Sequence, residues 1–295
     1  MKLTAYFGEN DGISDALLAR FAAHGIQASV LLRGIEGFGA KQHLHSDRLL
    51  TLSEDLPLVA VAVGSDDGIE AIRPEVEAIV QEGLVTTEGT SGEVPEAGDV
   101  KLTVYCGRSR FRPVVDVLHR SGVEGATVLL GVDGTMHGER RRARFFAANT
   151  DVPLLVVAVG SAERVGAALA ALEDPVYTIE RVASGPVGTP WEKLTLFSSE
   201  PAGAHLRFIR ALRSAGAGGA TCLRGIWGYS GQAPPHGDHL LALRRRVPVV
   251  TTVVDSADRV GAWQELAGGA GGFLIREGVP AASVMQKGKR VPSIE

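Results

Sequence analysis

The sequence predicts an α+β protein made of three consecutive β-α-β-β-α-β repeats, each of roughly 90 residues. Three recurring features predict this class: a strand-like Lys-Leu-Thr or similar segment, a glycine-rich segment, and a proline followed by a serine. The glycine-rich segments are LLRGIEGFGA at 31–40, LLGVDGTMHG at 129–138 and LRGIWGYSGQ at 223–232. Because these features recur in one order at nearly constant spacing, we interpret the chain as an internal triplication.

The first half of each repeat predicts a strand, a helix and a second strand. The first strands begin at Lys2, Lys101 and Lys193. In the first repeat Ser14 is expected to cap the helix, and in the second repeat Pro113 suits an early helical position. Glycines expected to end these helices are Gly25, Gly122 and Gly216. The second strands, ASVLL, ATVLL and ATCL, run directly into the glycine-rich segments.

The second half of each repeat predicts a third strand, a second helix and a short final strand. The prolines that open the third strands are Pro57, Pro153 and Pro248. The serines expected to cap the second helices are Ser65, Ser161 and Ser256. The final strands lie within LVTTE, VYTIE and FLIRE.

This order of elements is the ferredoxin-like plan, a four-stranded sheet with two helices on one face. The other face needs cover, so such units tend to pack against one another. The expected domains are 1–90, 100–183 and 192–280, with 281–295 as a polar, solvated tail. We expect an intrachain pseudo-trimer, with an open row of repeats as the alternative.

Composition argues against several classes of protein. A net charge of −4 and a pI near 6.1 give no general attraction to nucleic acid or anionic lipid. Cys106 and Cys222 form neither a disulfide framework nor a CxxC motif, and each is expected to be a small buried thiol. With no secretory signal and no apolar run of transmembrane length, we expect a cytoplasmic protein without membrane insertion.

The glycine-rich segments are the strongest candidates for a binding site. Glycines just after a strand permit close approach of a ligand, and exposed backbone N–H groups there can hold an anion. The ligand-binding candidates are Arg33, Gly34, Gly37, Phe38, Gly39, Lys41, Arg224, Gly225, Gly228, Tyr229 and Gly231. The segments match neither a Walker A loop nor a Rossmann fingerprint. The alternative is that these glycines only shape a turn at the strand end.

The segment ASVLLRGIEGFGAKQHLHSDRLLTLSEDLPLVAVAV resembles the DUF 190 domain, a family of small proteins related in fold to the PII signal-transduction proteins. Repeat 1 matches nearly throughout, repeat 3 keeps ATCLRGIWGYSG, HGDHLL and VPVV, and repeat 2 keeps mainly its strands, spacing and proline. The resemblance implies three tandem PII-like domains. DUF 190 genes often neighbour fluoride-channel genes, so a membrane ion channel is the protein partner that the family association implies.

PII proteins are homotrimers that bind nucleotides in clefts between subunits, beside a mobile loop that leaves a GFG turn. In this chain Gly37-Phe38-Gly39 is similar to that turn, and 40–48 is a shortened loop. The resemblance therefore implies ligand clefts between the repeats. The chain has no counterpart of the second glycine- and lysine-rich phosphate loop of PII proteins. The expected ligand is accordingly a small anion, with a nucleotide as one candidate.

The middle glycine-rich segment differs from the other two. Leu130 replaces the arginine, an aromatic residue and a glycine are lost, and a basic run, ERRRAR, begins at Glu139. We expect repeat 2 to act as scaffold while repeats 1 and 3 keep the binding chemistry. The alternative for the basic run is a solvated loop or helix face.

Histidine and aspartate in the loops are weak candidates for metal ligands. The aligned pairs are His45 with Asp47 and His236 with Asp238. No third or fourth ligand stands at a standard spacing, so we expect no metal site and an exposed polar loop. The serines lack an accompanying histidine and acid, and no catalytic residue or cofactor is expected.

The leading hypothesis is a non-enzymatic, PII-like sensor that binds a small anionic ligand in inter-repeat clefts and signals through loop 40–48. One alternative is a purely structural or interaction module without a ligand. Another is a metal-binding protein or small enzyme that uses the loop histidines and aspartates.

Overall fold

The chain folds into six helices and two antiparallel sheets, which confirms the predicted α+β class. The computed structural model describes residues 1–9, 13–46, 56–143, 152–199, 203–237, 247–269 and 271–291, and every count of elements refers to these residues. The helices are α1 (Ser14–Ala23), α2 (Asp66–Ile79), α3 (Phe111–Arg120), α4 (Ala162–Ala170), α5 (Ala204–Ser214) and α6 (Ala257–Gly268).

The strands follow the three repeats. Repeat 1 contributes β1 (Lys2–Gly8), β2 (Ala28–Arg33), β3 (Glu36–Phe38), β4 (His45–Ser46), β5 (Pro57–Val63) and β6 (Gly83–Glu88). Repeat 2 contributes β7 (Asp99–Gly107), β8 (Gly125–Leu129), β9 (Gly131–Met136), β10 (Glu139–Arg140), β11 (Pro153–Ser161) and β12 (Val176–Arg181). Repeat 3 contributes β13 (Trp191–Ser199), β14 (Ala220–Ser230), β15 (His236–Gly237), β16 (Pro248–Ser256) and β17 (Phe273–Val279), and β18 (Ala281–Gln286) and β19 (Lys289–Val291) follow it.

Within each repeat the four main strands have the same order: fourth, first, third, second. The three sets are β6-β1-β5-β2, β12-β7-β11-β8 and β17-β13-β16-β14. The helices cover one face of each set, and Leu17, Leu18 and Phe21 are fully buried there in repeat 1. The opposite faces of the three sets meet in a central core that contains Val30, Leu155 and Val250, one residue from each repeat.

The glycine-rich segments carry each repeat onto its neighbour. In repeat 2 the segment forms β9, which pairs with β2 of repeat 1. In repeat 3 it forms the second half of β14, which pairs with β8 of repeat 2. In repeat 1 it forms β3, which pairs with the start of β14 in repeat 3. The strand pairing therefore passes through all three repeats and returns to its origin.

Close backbone approach explains the glycines in these crossing strands. A Cβ on Gly134 would lie 2.3 Å from the Ser29 carbonyl oxygen of repeat 1, and one on Gly228 would lie 2.3 Å from that of Ala126 in repeat 2. The recurring proline also leaves little room for a side chain on these glycines. A Cβ on Gly34 would lie 2.6 Å from Cγ of Pro57. No L side chain fits these positions without displacing a strand.

The segments after each final strand cover the sheet edge of the next repeat. Ser91 forms a β-bridge with Ile179 of repeat 2, and Ala183 forms one with Arg276 of repeat 3. After repeat 3, β18 pairs with β6 of repeat 1. The prediction of a solvated tail at 281–295 is therefore wrong for 282–285, which are buried in β18 because the edge of repeat 1 needs the same cover as the other two, whereas 286–290 are exposed. The remaining tail residues, 292–295, lie outside the described residues.

Most of the predicted helix ends are confirmed. Ser65 and Ser161 accept N-cap hydrogen bonds from the backbone N–H groups of Gly68 and Arg164. Ser256 also stands at an N-cap but accepts no such bond. The prediction for Ser14 is wrong, because it is the first helical residue and Ile13 is the N-cap. The predicted left-handed glycines are confirmed, with φ of +62°, +74° and +80° at Gly25, Gly122 and Gly216.

A buried ring of six charges joins the repeats where they meet. The ring consists of Lys2, Lys101 and Lys193 from the first strands and Glu88, Glu180 and Glu277 from the final strands. Each lysine pairs with the glutamate of its own repeat and, more closely, with that of another: Lys2 with Glu180, Lys101 with Glu277, and Lys193 with Glu88. None of the six residues is more than 6% exposed.

Mutual compensation favours the charged forms at most positions of this ring, although burial prevails at Lys101 and lowers its pKa. Burial alone would raise the pKa of Glu88, but the ammonium groups of Lys193, Lys2 and Lys101 outweigh it and hold that pKa well below its usual range. At Glu277 the same ammonium groups also outweigh burial, and they lower the pKa to about 2. Burial would lower the pKa of Lys193, but the carboxylates of Glu277 and Glu88 raise it instead. The three carboxylates lie within 4.8 Å of one another, and the lysines already supply their countercharge.

We expect Gly134→Ala to lower the free energy of unfolding by about 2 kcal/mol or more, because the added methyl group collides with the Ser29 carbonyl across a repeat interface. Urea denaturation measures the change. Gly39→Ala is the matched control, since a Cβ there meets no atom within 4 Å. Equal losses in the two variants would contradict the steric explanation.

We expect Lys193→Met to cost about 3–5 kcal/mol of stability at neutral pH, because it leaves buried carboxylate charge without its partner. In this variant a glutamate gains a folded-state pKa above its unfolded value of about 4.3, so protonation recovers stability as the pH falls. The parent behaves oppositely, since the depressed pKa values of Glu88 and Glu277 mean that it loses stability as the pH falls below about 4.

Urea denaturation at a series of pH values measures both effects. The stability gap between parent and Lys193→Met should narrow from pH 7 to pH 4. Lys289→Met, at an exposed lysine, should leave stability unchanged at every pH. If the difference in stability between the parent and Lys193→Met does not change with pH, the loss of the lysine leaves no buried carboxylate uncompensated.

Candidate functional site

A cavity of about 470 Å³ lies between repeats 1 and 3, beside the glycine-rich segment of repeat 1. Repeat 1 lines it with the end of β1, the segment 37–41, His43, His45 and the start of β6. Repeat 3 lines it with the start of β14, the end of β16 and Arg259 of α6. The turn after β18 completes the wall. A volume of this size suits a small organic ligand.

Glycine backbone and apolar side chains form most of the cavity wall. The glycines are Gly8, Gly37, Gly39, Gly83, Gly218 and Gly219. The larger apolar residues are Tyr6, Phe7, Phe38, Leu84, Trp191, Val254, Val284 and Met285. Because the glycines carry no side chains, open space remains beside them. The aromatic and aliphatic side chains give this space an apolar wall, against which an apolar part of a ligand can pack.

Among the described residues, five formally charged side chains line the cavity. Lys41 pairs with Glu82 at 2.5 Å, and Arg259 lies 3.5 Å from Asp255. Asp255 is buried and also accepts a hydrogen bond from Trp263 Nε1 at 3.1 Å. Among the described residues no carboxylate pairs with the fifth, Lys287. The described part of the cavity wall therefore has three cations against two carboxylates, with the histidines counted as uncharged.

The predicted ligand-binding residues separate into two groups. Gly37, Phe38, Gly39 and Lys41 line the cavity. Their N–H groups are partly engaged already, since Gly37 pairs with Thr221 on one side and His45 on the other. Of the predicted loop 40–48, residues 47 and 48 lie outside the described residues.

The remaining candidates lie outside this cavity. Arg33 is exposed and donates to Glu9 Oε2 at 2.7 Å and 3.1 Å. The N–H of Gly34 donates to the Pro57 carbonyl oxygen. Arg224 stands in β14 opposite Val249 in β16. The residues Gly225, Gly228, Tyr229 and Gly231 lie at the other interface of repeat 3.

Aromatic packing fills the interface between repeats 2 and 3. The Trp227 ring lies 6.3 Å from Phe111, and the Arg112 guanidinium stacks 4.7 Å from the Trp227 ring. Tyr229 is buried and meets His119 edge-on at 4.8 Å. The aromatic residues of this segment are thus inserted into the core of repeat 2.

Ion pairs occupy the interface between repeats 1 and 2. Arg140 binds Asp133 at 2.6 Å and Asp15 of α1 at 2.5 Å. Arg142 also reaches Asp15, at 3.1 Å, and Arg141 pairs with Glu139. The described part of the basic run is therefore compensated by neighbouring acids, as suits a scaffold role for repeat 2.

The metal candidates do not come together. His45 pairs with Gly37, which lies opposite Thr221, whereas His236 lies opposite Gly228 on the same strand β14. Seven residues of extended strand correspond to about 23 Å. Asp47 and Asp238 lie outside the described residues. Nothing in the described geometry favours shared metal ligation.

The two cysteines are buried, as predicted. Burial raises the pKa of Cys106 to about 12, with Arg110 as a minor opposing influence. A thiol in this state is a poor nucleophile.

Comparison with known families matches this chain three times. The model of the family described as "DUF190: Uncharacterized ACR" matches residues 1–91, 101–183 and 198–267. The chain belongs to the DUF190 family. The resemblance drawn from the glycine-rich segments is confirmed, and so is the presence of three tandem copies.

Two solved structures show a distant similarity to this DUF190 protein. The acetolactate synthase small subunit from Thermotoga maritima is 15% identical, with 60% of this chain and 92% of that chain covered and a TM-score of 0.25. The aspartate kinase from Synechocystis is 10% identical, with 96% and 44% covered and a TM-score of 0.27. Likeness at this level carries no functional argument. Separately, no helix in the described part of the DUF190 chain is both long and apolar enough to cross a membrane.

Sequence reasoning missed several residues of the DUF190 cavity. Lys287 and Met285 fall within the predicted tail, and Arg259 and Asp255 belong to repeat 3 at a distance from its glycine-rich segment. The signal that could have found the first two is the run AASVM before KGKR, which is a short strand followed by a Lys-Gly turn. The others depend on inter-repeat geometry, which no local pattern contains.

We expect Phe38→Ala in this DUF190 chain to lower the free energy of unfolding by about 3–5 kcal/mol, because Phe38 is inserted into the repeat 3 core and is only 5% exposed. Phe273→Ala is the control, since Phe273 is 51% exposed. Chemical denaturation compares the two. A loss below about 1 kcal/mol at Phe38 would show that it does not anchor the interface.

Proposed function

We propose that this chain is a non-enzymatic, PII-like sensor that binds a small anionic ligand between repeats 1 and 3. In this proposal the three DUF190 repeats are ferredoxin-like units that form, in one chain, the counterpart of a PII homotrimer. The bound anion changes the position of the loop that begins at Ala40. A protein partner, with a membrane ion channel as the family-based candidate, reads that change.

The observation that carries the proposal is the cavity itself. It lies in a cleft between two repeats, and Gly37, Phe38, Gly39 and Lys41 line it. It combines an apolar wall with an excess of cationic side chains. Buried walls lower the local dielectric and strengthen attraction for an anion.

Only one of the three clefts is proposed to bind. Trp227, Tyr229 and their partners occupy the repeat 2–3 interface, while Arg140 and its acidic partners occupy the repeat 1–2 interface. We therefore expect one ligand per chain. Triplication in a single chain lets two interfaces specialise as scaffold, which an assembly of identical subunits cannot do.

Lys41 connects the cavity to the loop. Its ammonium group pairs with Glu82, while the adjacent Gln42 has a positive φ of 57° and donates from Nε2 to the Ala217 carbonyl oxygen of repeat 3. A ligand anion that attracts Lys41 competes with Glu82. Because Gln42 is the next residue in the chain, a displacement of Lys41 also displaces Gln42 and therefore the loop.

A structural role without a ligand is the second candidate. The contacts of Gly34, Gly134 and Gly228 are fully explained by close packing of crossing strands. This observation accounts for the recurrence of the glycines without any bound molecule, but it does not account for the cavity between repeats 1 and 3.

A thermal-shift screen tests the proposal. The panel contains AMP, ADP, ATP, inorganic phosphate and small organic carboxylates. A ligand present at about a hundred times its dissociation constant adds about 2.7 kcal/mol of stability and raises Tm by several degrees. Gly39→Val should abolish the shift by filling open space beside the cavity, and Lys41→Ala should weaken it.

Gly89→Val and Arg224→Ala are the controls for this screen. Gly89 is exposed with no atom within 4 Å of an added Cβ, and Arg224 lies outside the cavity, so both variants should keep the full shift. If no anion stabilises the parent protein, the sensor proposal is wrong and the structural role stands.

A further inference from the structure

The charge balance of the cavity between repeats 1 and 3 limits the ligand it can take. Of its three cations, Lys41 and Arg259 already have carboxylate partners in Glu82 and Asp255. Arg259 is committed further, since its Nη2 donates to the Gly216 carbonyl oxygen at 2.5 Å and its guanidinium stacks on Trp263 at 5.2 Å. Among the described lining residues the surplus of positive charge is one unit.

Lys287 supplies that surplus charge at a defined position. It stands in the turn between β18 and β19 with a positive φ of 50°, and Gly288 follows it with a φ of 70°. The N–H of Gly288 donates to the Gln81 carbonyl oxygen at 2.8 Å, so the tip of this hairpin is attached to repeat 1 next to Glu82. This attachment brings Lys287 to the same end of the cavity as the Lys41–Glu82 pair.

The rest of the wall favours an apolar ligand body. Val284 and Met285 come from β18, Tyr6 and Leu84 from repeat 1, and Trp191 from repeat 3. A small inorganic anion would leave these side chains facing unfilled space. A polyphosphate would bring several negative charges close to Glu82 and Asp255, which the single surplus cation cannot offset.

We infer that the ligand is an amphipathic monoanion, with a flat aromatic or aliphatic body against the apolar wall and one carboxylate or sulfonate group at Lys287. This inference rests on the proposed function and makes it more specific. It assigns the β18–β19 hairpin a direct part in binding. It also predicts that nucleoside triphosphates bind poorly despite the resemblance to PII proteins.

Titration with 1-anilinonaphthalene-8-sulfonate tests the inference, because this probe has an aromatic body and a single negative charge. We expect one molecule to bind per chain with a blue-shifted rise in fluorescence. Lys287→Gln should weaken binding by about tenfold, the loss expected for one charged hydrogen bond. Lys289→Gln, two residues away and outside the cavity, should bind as the parent does.

Two further measurements show where the probe binds and which ligand charge the cavity prefers. Gly39→Val should abolish binding, and circular dichroism should show that this variant remains folded. ATP and inorganic phosphate at millimolar concentration should not displace the probe. Binding that persists unchanged in Gly39→Val or in Lys287→Gln would place the probe elsewhere and overturn the inference.

The inference and the proposed function fail in different ways. If ATP or phosphate displaces the probe and stabilises the protein in a Gly39-dependent manner, the monoanion inference is wrong and the sensor proposal stands. If neither the probe nor any anion of the thermal-shift panel binds, both are wrong.

Discussion

The crossing of each glycine-rich segment onto the next repeat is the constraint on which the rest of this structure depends. At Gly134 and Gly228 the backbones of two repeats come so close that a Cβ would lie 2.3 Å from a carbonyl oxygen. This approach places Phe38 and Tyr229 within neighbouring cores. It also brings the first and final strands of the repeats together, where the six-charge ring forms. The cavity between repeats 1 and 3 is a consequence of this arrangement and of the residues at that crossing.

The charge ring gives the closed arrangement its register. Each lysine contacts glutamates of two repeats, so a shift of one repeat against the others would separate buried charges from their partners. A buried pair adds little stability over an apolar contact, but a broken one is costly. The ring therefore favours one relative arrangement of the repeats over alternatives, and its cyclic order matches the order in which the strands cross.

The elements within a repeat could be predicted from the sequence because their signals are local. The prolines that open the third strands, the serines at the N-caps and the left-handed glycines each reflect the backbone geometry of a few residues. The crossings could not be predicted, since no local pattern shows which strand Gly134 will approach. The lysines and glutamates of the ring looked like ordinary strand residues, and the polar segment MQKGKRVPSIE favours a tail over the strand β18. Of the candidate site, the residues of segment 37–41 were found and those from repeat 3 and the β18–β19 hairpin were not.

We expect the three repeats to unfold as one cooperative body and not as three domains joined by linkers. Native-state hydrogen exchange, followed by mass spectrometry at increasing denaturant, tests this expectation. The amides of β1, β7 and β13, the first strand of each repeat, should exchange with the same free energy of opening. Exchange of β7 at a clearly lower free energy than β1 and β13 would show that repeat 2 unfolds on its own and would contradict the closed arrangement.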